Sequence, residues 1–127
     1  MAELRATLGV RDLEKELKFY EALGFEVGER WEQGAVVRLD RSELTLEAFE
    51  SLRVSDGPLL DWDRSQSAQL GTGVQLYLMV SNVDDMAARI PVGIPRPWPV
   101  QEKAWGLREL SLRTPSGYIL TFAQPGR

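Results

Sequence analysis

The feature of this sequence that most restricts its fold is a short pattern that occurs twice. Residues 8–13 read LGVRDL and residues 78–83 read LMVSNV. In both, apolar residues alternate as in a strand, and an Asp or Asn that can cap a helix follows. The repeat predicts a module that is duplicated along the chain. The alternative is a chance likeness between two unrelated strand–helix starts.

The first half is predicted to contain a strand, a helix and three further strands. Asp12 is the expected N-cap of the helix, and Gly24 is expected to end it. Its apolar stripe consists of Leu13, Leu17, Tyr20 and Leu23. The strands are predicted at Arg5–Val10, Phe25–Gly28, Gly34–Asp40 and Leu44–Phe49, with a hairpin loop at Arg41–Glu43.

The second half repeats this order less clearly. A strand is predicted at Gly73–Val80, and a short helix capped by Asn82 is expected to end at Pro91. The prolines that follow predict an extended, irregular stretch up to the strand Leu107–Arg113. A turn with the sequence TPSG leads to the last strand, Tyr118–Ala123. The whole chain is predicted to be one domain, with modules at residues 1–50 and 73–127 and an irregular connection at residues 51–72.

Two absences exclude several kinds of active site. The chain contains no histidine and no cysteine. It therefore lacks the commonest metal ligand, the commonest general base at neutral pH, and any thiol nucleophile. A net charge of -4 without a basic cluster argues against a nucleic-acid partner. No apolar run reaches the length of a membrane span and the first residues lack a signal-peptide core, so the expected location is the cytoplasm.

Several motifs resemble the vicinal-oxygen-chelate superfamily of glyoxalases, bleomycin resistance proteins and extradiol dioxygenases. They are LGVRDL at residues 8–13, FYEALGF at residues 19–25, WGLREL at residues 105–110 and TPSGY at residues 114–118. The segment GAVVRLD at residues 34–40 is similar to the bleomycin-resistance branch in particular. The resemblance implies an α+β fold of two βαβββ modules, whose curved mixed sheets surround a cavity and carry the helices on the outside. It also implies a homodimer.

The same resemblance places metal ligands at one position on each of four strands. In this sequence those positions are Arg5, Glu47, Gln75 and Thr121. Only Glu47 is a good ligand, and Arg5 puts a permanent positive charge where the cation would lie. The sequence therefore predicts a protein without a metal and without any other cofactor.

One face of the predicted strands mixes polar with aromatic residues, as the lining of a small-molecule pocket does. The alternative is a polar face that simply meets solvent. An ion pair between Arg5 and Glu47 is expected across the floor of the pocket. The predicted ligand-binding residues are Arg5, Arg38, Glu47, Phe49, Gln75, Tyr77, Trp105, Glu109 and Thr121.

These features favour a metal-free protein that binds and sequesters an aromatic or cationic small molecule, and they predict no catalytic residue. One alternative is a lyase, isomerase or dioxygenase that holds a divalent cation through carboxylates. Another is metal-free acid–base chemistry, with Glu47 or Glu109 as the base and Arg5 stabilising an enolate. A regulator or scaffold on the same fold is the remaining possibility.

Overall fold

The two halves of the chain fold with the same order of elements. The computed structural model describes residues 1–54, 70–94 and 98–125. The chain divides into two units, residues 1–70 and 71–127. In the part of the chain that is described, no helix is long and apolar enough to cross a bilayer.

Unit 1 is a βαβββ module followed by a short helix. Its elements are β1 (Thr7–Val10), α1 (Leu13–Ala22), β2 (Glu26–Trp31), β3 (Gly34–Leu39), β4 (Ser42–Ala48) and α2 (Phe49–Val54). The strand order is β1-β4-β3-β2, and β1 runs parallel to β4 while the other neighbours are antiparallel.

Unit 2 repeats this topology. Its elements are β5 (Gln75–Met79), α3 (Val83–Ala88), β6 (Trp98–Glu102), β7 (Leu107–Arg113) and β8 (Ile119–Pro125), in the strand order β5-β8-β7-β6. Strand β5 runs parallel to β8, as β1 does to β4. The predicted α+β class and the duplicated βαβββ modules are confirmed.

The predicted helix caps form as expected. The Asp12 Oδ1 atom accepts the backbone N–H of Lys15 at 3.2 Å, and the Asn82 Oδ1 atom accepts that of Asp85 at 3.0 Å. Helix α1 ends where Gly24 takes a φ of 101°, a conformation that glycine adopts without steric cost.

A helix-cap substitution tests this local account. Replacing Asp12 with Ala should lower the free energy of unfolding by about 1 kcal/mol, because one N–H in the first turn of α1 loses its acceptor. Chemical denaturation measures the change. Asp12→Asn is the matched control, since the amide oxygen still accepts the bond, and an equal loss in that variant would contradict the capping role.

One face of each sheet packs against helices. In unit 1 the buried strand residues Leu8, Val10, Val37 and Leu46 share a face, and Leu17, Tyr20 and Leu23 form the buried stripe of α1 and its C-terminal end. In unit 2 the corresponding apolar face includes Leu110, Leu112, Leu120 and Phe122. The opposite face of each sheet carries the polar residues.

Several element boundaries differ from the sequence prediction. Strand β4 ends at Ala48, and Phe49 begins α2 instead of closing the strand. The hairpin between β3 and β4 turns at Asp40 and Arg41, and Asp40 takes a φ of 51°, which Asp tolerates better than most residues. Strand β2 continues to Trp31, beyond the predicted end at Gly28. Strand β6 occupies part of the proline-containing stretch that was predicted to be irregular.

Candidate functional site

A chain of polar side chains crosses the polar face of unit 2. Ser111 on β7 and Thr121 on β8 are register partners, and their hydroxyl oxygens lie 2.8 Å apart. Gln75 on β5 donates from Nε2 to the Thr121 Oγ1 atom at 2.9 Å. Thr121 is fully buried. The structure thus joins two predicted site residues, Gln75 and Thr121, through a contact between adjacent strands.

Tyr77, also predicted for the site, lies on the same face of β5 as Gln75. It is the register partner of Thr121, and 42% of its surface is exposed. Met79, the next residue on that face, is also exposed. This part of the face is therefore aromatic and apolar beside the polar chain.

Trp105 and Glu109 form the second group on this side of unit 2. Trp105 lies in the turn between β6 and β7, and its Nε1–H donates to the Glu109 Oε2 atom at 2.8 Å. Trp105 is 65% exposed, whereas Glu109 is only 5% exposed. The Lys103 Nζ atom lies over the Trp105 ring, 5.9 Å from its centroid. The exposed indole of Trp105 is therefore hydrogen-bonded to the side chain of a buried acidic residue.

Glu109 is a buried acid without a cationic partner in the part of the chain that is described. Burial raises the pKa of its carboxyl above the ordinary value, because the charged form loses its hydration. The indole N–H is its one hydrogen-bond donor among the described residues. Such a carboxylate is stabilised by any positively charged group that approaches it.

A cavity of about 280 Å³ lies on this side of unit 2. Its lining combines aromatic, apolar and charged side chains: Trp98, Pro99, Gln101, Lys103, Glu109, Ser111 and Ile119. Of these, Glu109 was predicted for the site. Ligand pockets show this combination of an apolar wall with a few polar groups.

Trp98 is a cavity residue that the sequence analysis did not select. It pairs with Ser111 across the β6–β7 ladder, and the Arg113 guanidinium carbon lies over its ring at 5.4 Å from the centroid. The register shifts between Trp98 and Gln101, and Pro99 lies in that irregularity. Since β6 is an edge strand, the missing N–H of Pro99 is tolerated there. In the sequence, Trp98 could have been noticed as an aromatic residue between two prolines. The prolines, however, argued against a strand at this place.

The predicted residues of unit 1 occupy different surroundings. Arg5 precedes β1, its side chain is 78% exposed, and its Nε–H donates to the Glu3 carboxylate at 2.8 Å. That contact raises the pKa of Arg5. Glu47 accepts the Ser51 hydroxyl at 3.4 Å, and its register partner on β1 is Gly9. The expected ion pair between Arg5 and Glu47 is not formed, because the register places Gly9 beside Glu47.

Two other predicted residues of unit 1 are held by neighbours within that unit. The Arg38 Nε–H donates to Glu43 at 2.8 Å, and the guanidinium fills the space beside Gly28 where a Cβ would lie. Phe49 is buried, with 4% of its surface exposed, at the start of α2.

Strand register identifies equivalent positions in the two units. Leu8 and Leu78, which begin the repeated pattern, pair with Leu46 and Phe122, and these pair in turn with Ala35 and Leu110. The residues before Ala35 and Leu110 are Gly34 and Glu109, so Gly34 stands where unit 2 has its buried acid. A Cβ on Gly34 would lie 2.6 Å from the Trp31 ring, so the indole fills that space. At this position the polar face of unit 1 is filled by the Trp31 side chain, whereas unit 2 carries the Glu109 carboxylate.

The same comparison corrects one assumed equivalence. Thr121 pairs with Ser111, and Thr45 pairs with Val36 at the corresponding place in unit 1. Thr45, not Glu47, is therefore the counterpart of Thr121. The resemblance had placed Glu47 and Thr121 at matching ligand positions.

The four implied metal-ligand positions do not fit a divalent cation. Arg5 is a cation paired with Glu3, and Glu47 is the one carboxylate of the set. Gln75 and Thr121 are hydrogen-bonded to each other. Within residues 1–54, 70–94 and 98–125, no three acidic side chains converge on a common point. Hard divalent cations bind several oxygen ligands, with carboxylates among them. These four positions provide a single carboxylate, that of Glu47.

Comparisons with known proteins place the chain among structures of one fold. No family model and no curated protein matches the sequence. A glyoxalase/bleomycin resistance protein/dioxygenase from Nocardioides has a TM-score of 0.73 and 20% identity, covering 100% of this chain and 85% of that one. A bleomycin-binding protein solved with bleomycin has a TM-score of 0.66 and 20% identity, covering 98% of each chain.

A lactoylglutathione lyase from Agrobacterium tumefaciens is similar to the same extent. Its TM-score is 0.73 at 16% identity, with 98% of this chain and 94% of that chain covered. The proteins of this group include one that binds a drug and one named for an enzyme activity. At these identities the likeness establishes the fold alone, and it is the fold that the resemblance implied.

Proposed function

We propose that this chain, which has the fold of the bleomycin-binding and glyoxalase proteins, binds an aromatic or cationic small molecule and holds it unchanged. The observation that carries the proposal is Glu109. This residue has 5% of its surface exposed and lies on the wall of a cavity, and a neutral indole is the hydrogen-bond partner of its carboxylate among the described residues. A cationic ligand would supply the missing positive charge.

The aromatic part of the proposal rests on the two tryptophans beside this acid. Trp98 lines the cavity, and Trp105 donates to Glu109. Both rings already have a cation of the protein near one face, Arg113 for Trp98 and Lys103 for Trp105. Indole faces attract cations and stack on flat rings. A ligand with a ring and a positive charge would use both properties.

The donor set described above supports binding without a metal. Among the described residues, no three acidic side chains lie close enough together to hold a metal ion. In the metal-free enzyme alternative Glu47 or Glu109 is the base and Arg5 stabilises an enolate, and Arg5 instead pairs with the exposed Glu3. Sequestration in the manner of a drug-binding protein is therefore the function that the arrangement favours. The proposal includes a homodimer located in the cytoplasm, as the resemblance and the sequence imply.

Quenching of tryptophan fluorescence tests this function. The purified protein would be titrated with bleomycin-type compounds and with other aromatic cations. We expect saturable quenching. Trp105→Ala should raise the Kd of the ligand by roughly tenfold to 100-fold, because the stacking area of the indole and its hydrogen bond to Glu109 are both lost. The matched control is Trp31→Phe in unit 1, which should bind as the wild type does.

Two results would contradict the proposal. One is a complete lack of quenching by every compound in the panel. The other is conversion of the bound compound, seen by mass spectrometry of the recovered ligand, with or without added Mn²⁺ or Ni²⁺. The second result would favour the enzymatic alternative.

A further inference from the structure

Two side chains of opposite charge line the cavity of unit 2 without pairing with each other. They are Lys103 and Glu109. The Lys103 Nζ atom donates to the Gln101 Oε1 atom at 2.8 Å, and Glu109 accepts the Trp105 indole N–H at 2.8 Å. Each charge is thus bonded to a neutral partner, although a counter-ion lines the same cavity.

Trp105 interacts with both charged side chains. Lys103 lies over the face of the indole, and Glu109 is bonded to its N–H edge. Opposite charges that line one cavity attract each other, and pairing is the usual outcome. Here the ring contacts both groups, so the cavity presents an anion and a cation at separate places.

We propose that the ligand of this cavity is a zwitterion, with an ammonium group for Glu109 and a carboxylate for Lys103. Its apolar body lies against Trp98 and Ile119. This inference rests on the function proposed above and narrows its ligand class. A simple cation would satisfy Glu109 but would bring a second positive charge near Lys103. A zwitterion compensates both charges of the protein.

The inference makes a prediction opposite to that of the overall charge. The chain carries a net charge of -4, which by itself favours the more positive of two ligands. Converting the carboxylate of a zwitterion into a methyl ester makes the ligand more positive. If Lys103 holds that carboxylate, the ester should nevertheless bind more weakly.

Matched derivatives of a few scaffolds test this directly. The probes are phenylalanine, a phenylalanine dipeptide and an aryl carboxylic acid that carries an aminomethyl group. Each is titrated by calorimetry as the free zwitterion, as the methyl ester and as the N-acetyl compound. For the wild type we expect the zwitterion to bind at least tenfold more tightly than either blocked form, because each blocked form leaves one charge of the cavity without a partner.

Substitutions assign each end of the ligand to a residue. Lys103→Gln should remove the preference for the acid over the ester and retain the preference for the free amine. Glu109→Gln should do the reverse. Lys103→Arg should keep both preferences. The controls Lys18→Gln and Glu21→Gln make the same charge changes at exposed positions of α1 and should bind as the wild type does.

The outcomes separate this inference from the proposed function. If esters and simple aromatic amines bind as well as the zwitterions, the zwitterion inference is wrong and small-molecule binding stands. If the preference for the acid persists in Lys103→Gln, the role of Lys103 is wrong. If neither cations nor zwitterions bind, both proposals are overturned.

Discussion

Replacing Glu109 with Gln should weaken the binding of any cationic group in the cavity of unit 2 by about 2–5 kcal/mol. That corresponds to a rise in Kd of roughly 30-fold to several thousand-fold, since 1.4 kcal/mol is tenfold. The amide oxygen of the glutamine can still accept the Trp105 N–H, so the hydrogen bond to the indole remains. What is lost is the negative charge, buried where solvent screens it little. Titration calorimetry with the tightest compound of the panels measures the effect.

The pH dependence of the same variant provides an independent check. Burial raises the pKa of Glu109, so its carboxylate becomes protonated at a higher pH than an exposed one. Binding of a cation to the wild type should therefore weaken as the pH falls through that raised value. Binding to Glu109→Gln should not change over that range. A wild type whose affinity for a cation does not change across this range would contradict the assignment.

The stability of the unliganded protein should change with pH in the opposite sense. The native state binds the Glu109 proton more tightly than the unfolded state does. The contribution of this group to stability is therefore complete at low pH and is lost as the pH rises through the raised pKa. Relative to Glu109→Gln, the free energy of unfolding of the wild type should fall over that range. A variant that is as stable as the wild type or more stable also shows that its binding defect does not arise from unfolding.

Replacing Phe122 with Ala should lower the free energy of unfolding of the protein by about 3–5 kcal/mol. Phe122 is fully buried on the apolar face of β8, and its strand neighbours include Leu110 on β7 and Leu78 on β5. Removing the ring takes away its burial and leaves a void that close-packed neighbours fill only in part.

Chemical denaturation measures this loss, and a neighbouring position supplies the control. Met79→Ala removes a long apolar side chain from β5, but that side chain is 58% exposed and should cost less than about 0.5 kcal/mol. Equal costs for the two substitutions would mean that the two faces of the sheet have been assigned the wrong way round.

Much of the fold could be predicted from local patterns. The caps at Asp12 and Asn82, the stop at Gly24 and the alternation along β5 each involve neighbours within one turn of helix or one strand. Such interactions are visible in the sequence because residues close in the chain decide them. Strand β6 was missed because Pro99 breaks the alternation, and the register shift that accommodates the proline depends on its partner strand β7.

The candidate site was predicted in part. Glu109, Trp105, Gln75 and Thr121 were named from strand faces and from the resemblance, and the structure brings them together as two hydrogen-bonded groups within unit 2. Arg5 was assigned to the site because the resemblance implies a metal-ligand position there, on a strand that was predicted to include it. Strand β1 begins at Thr7, so Arg5 lies outside the sheet and pairs with Glu3.

The sequence by itself determined that one module is present twice, how its helices begin, and which residues lie on the apolar side of most strands. Only the tertiary structure decided what fills the polar side of each unit. Gly34 and Glu109 occupy equivalent places, but Trp31 covers the first and a cavity adjoins the second. The reason is physical: a side chain's surroundings are set by the partner strand and its register, and no pattern within a single strand contains that information.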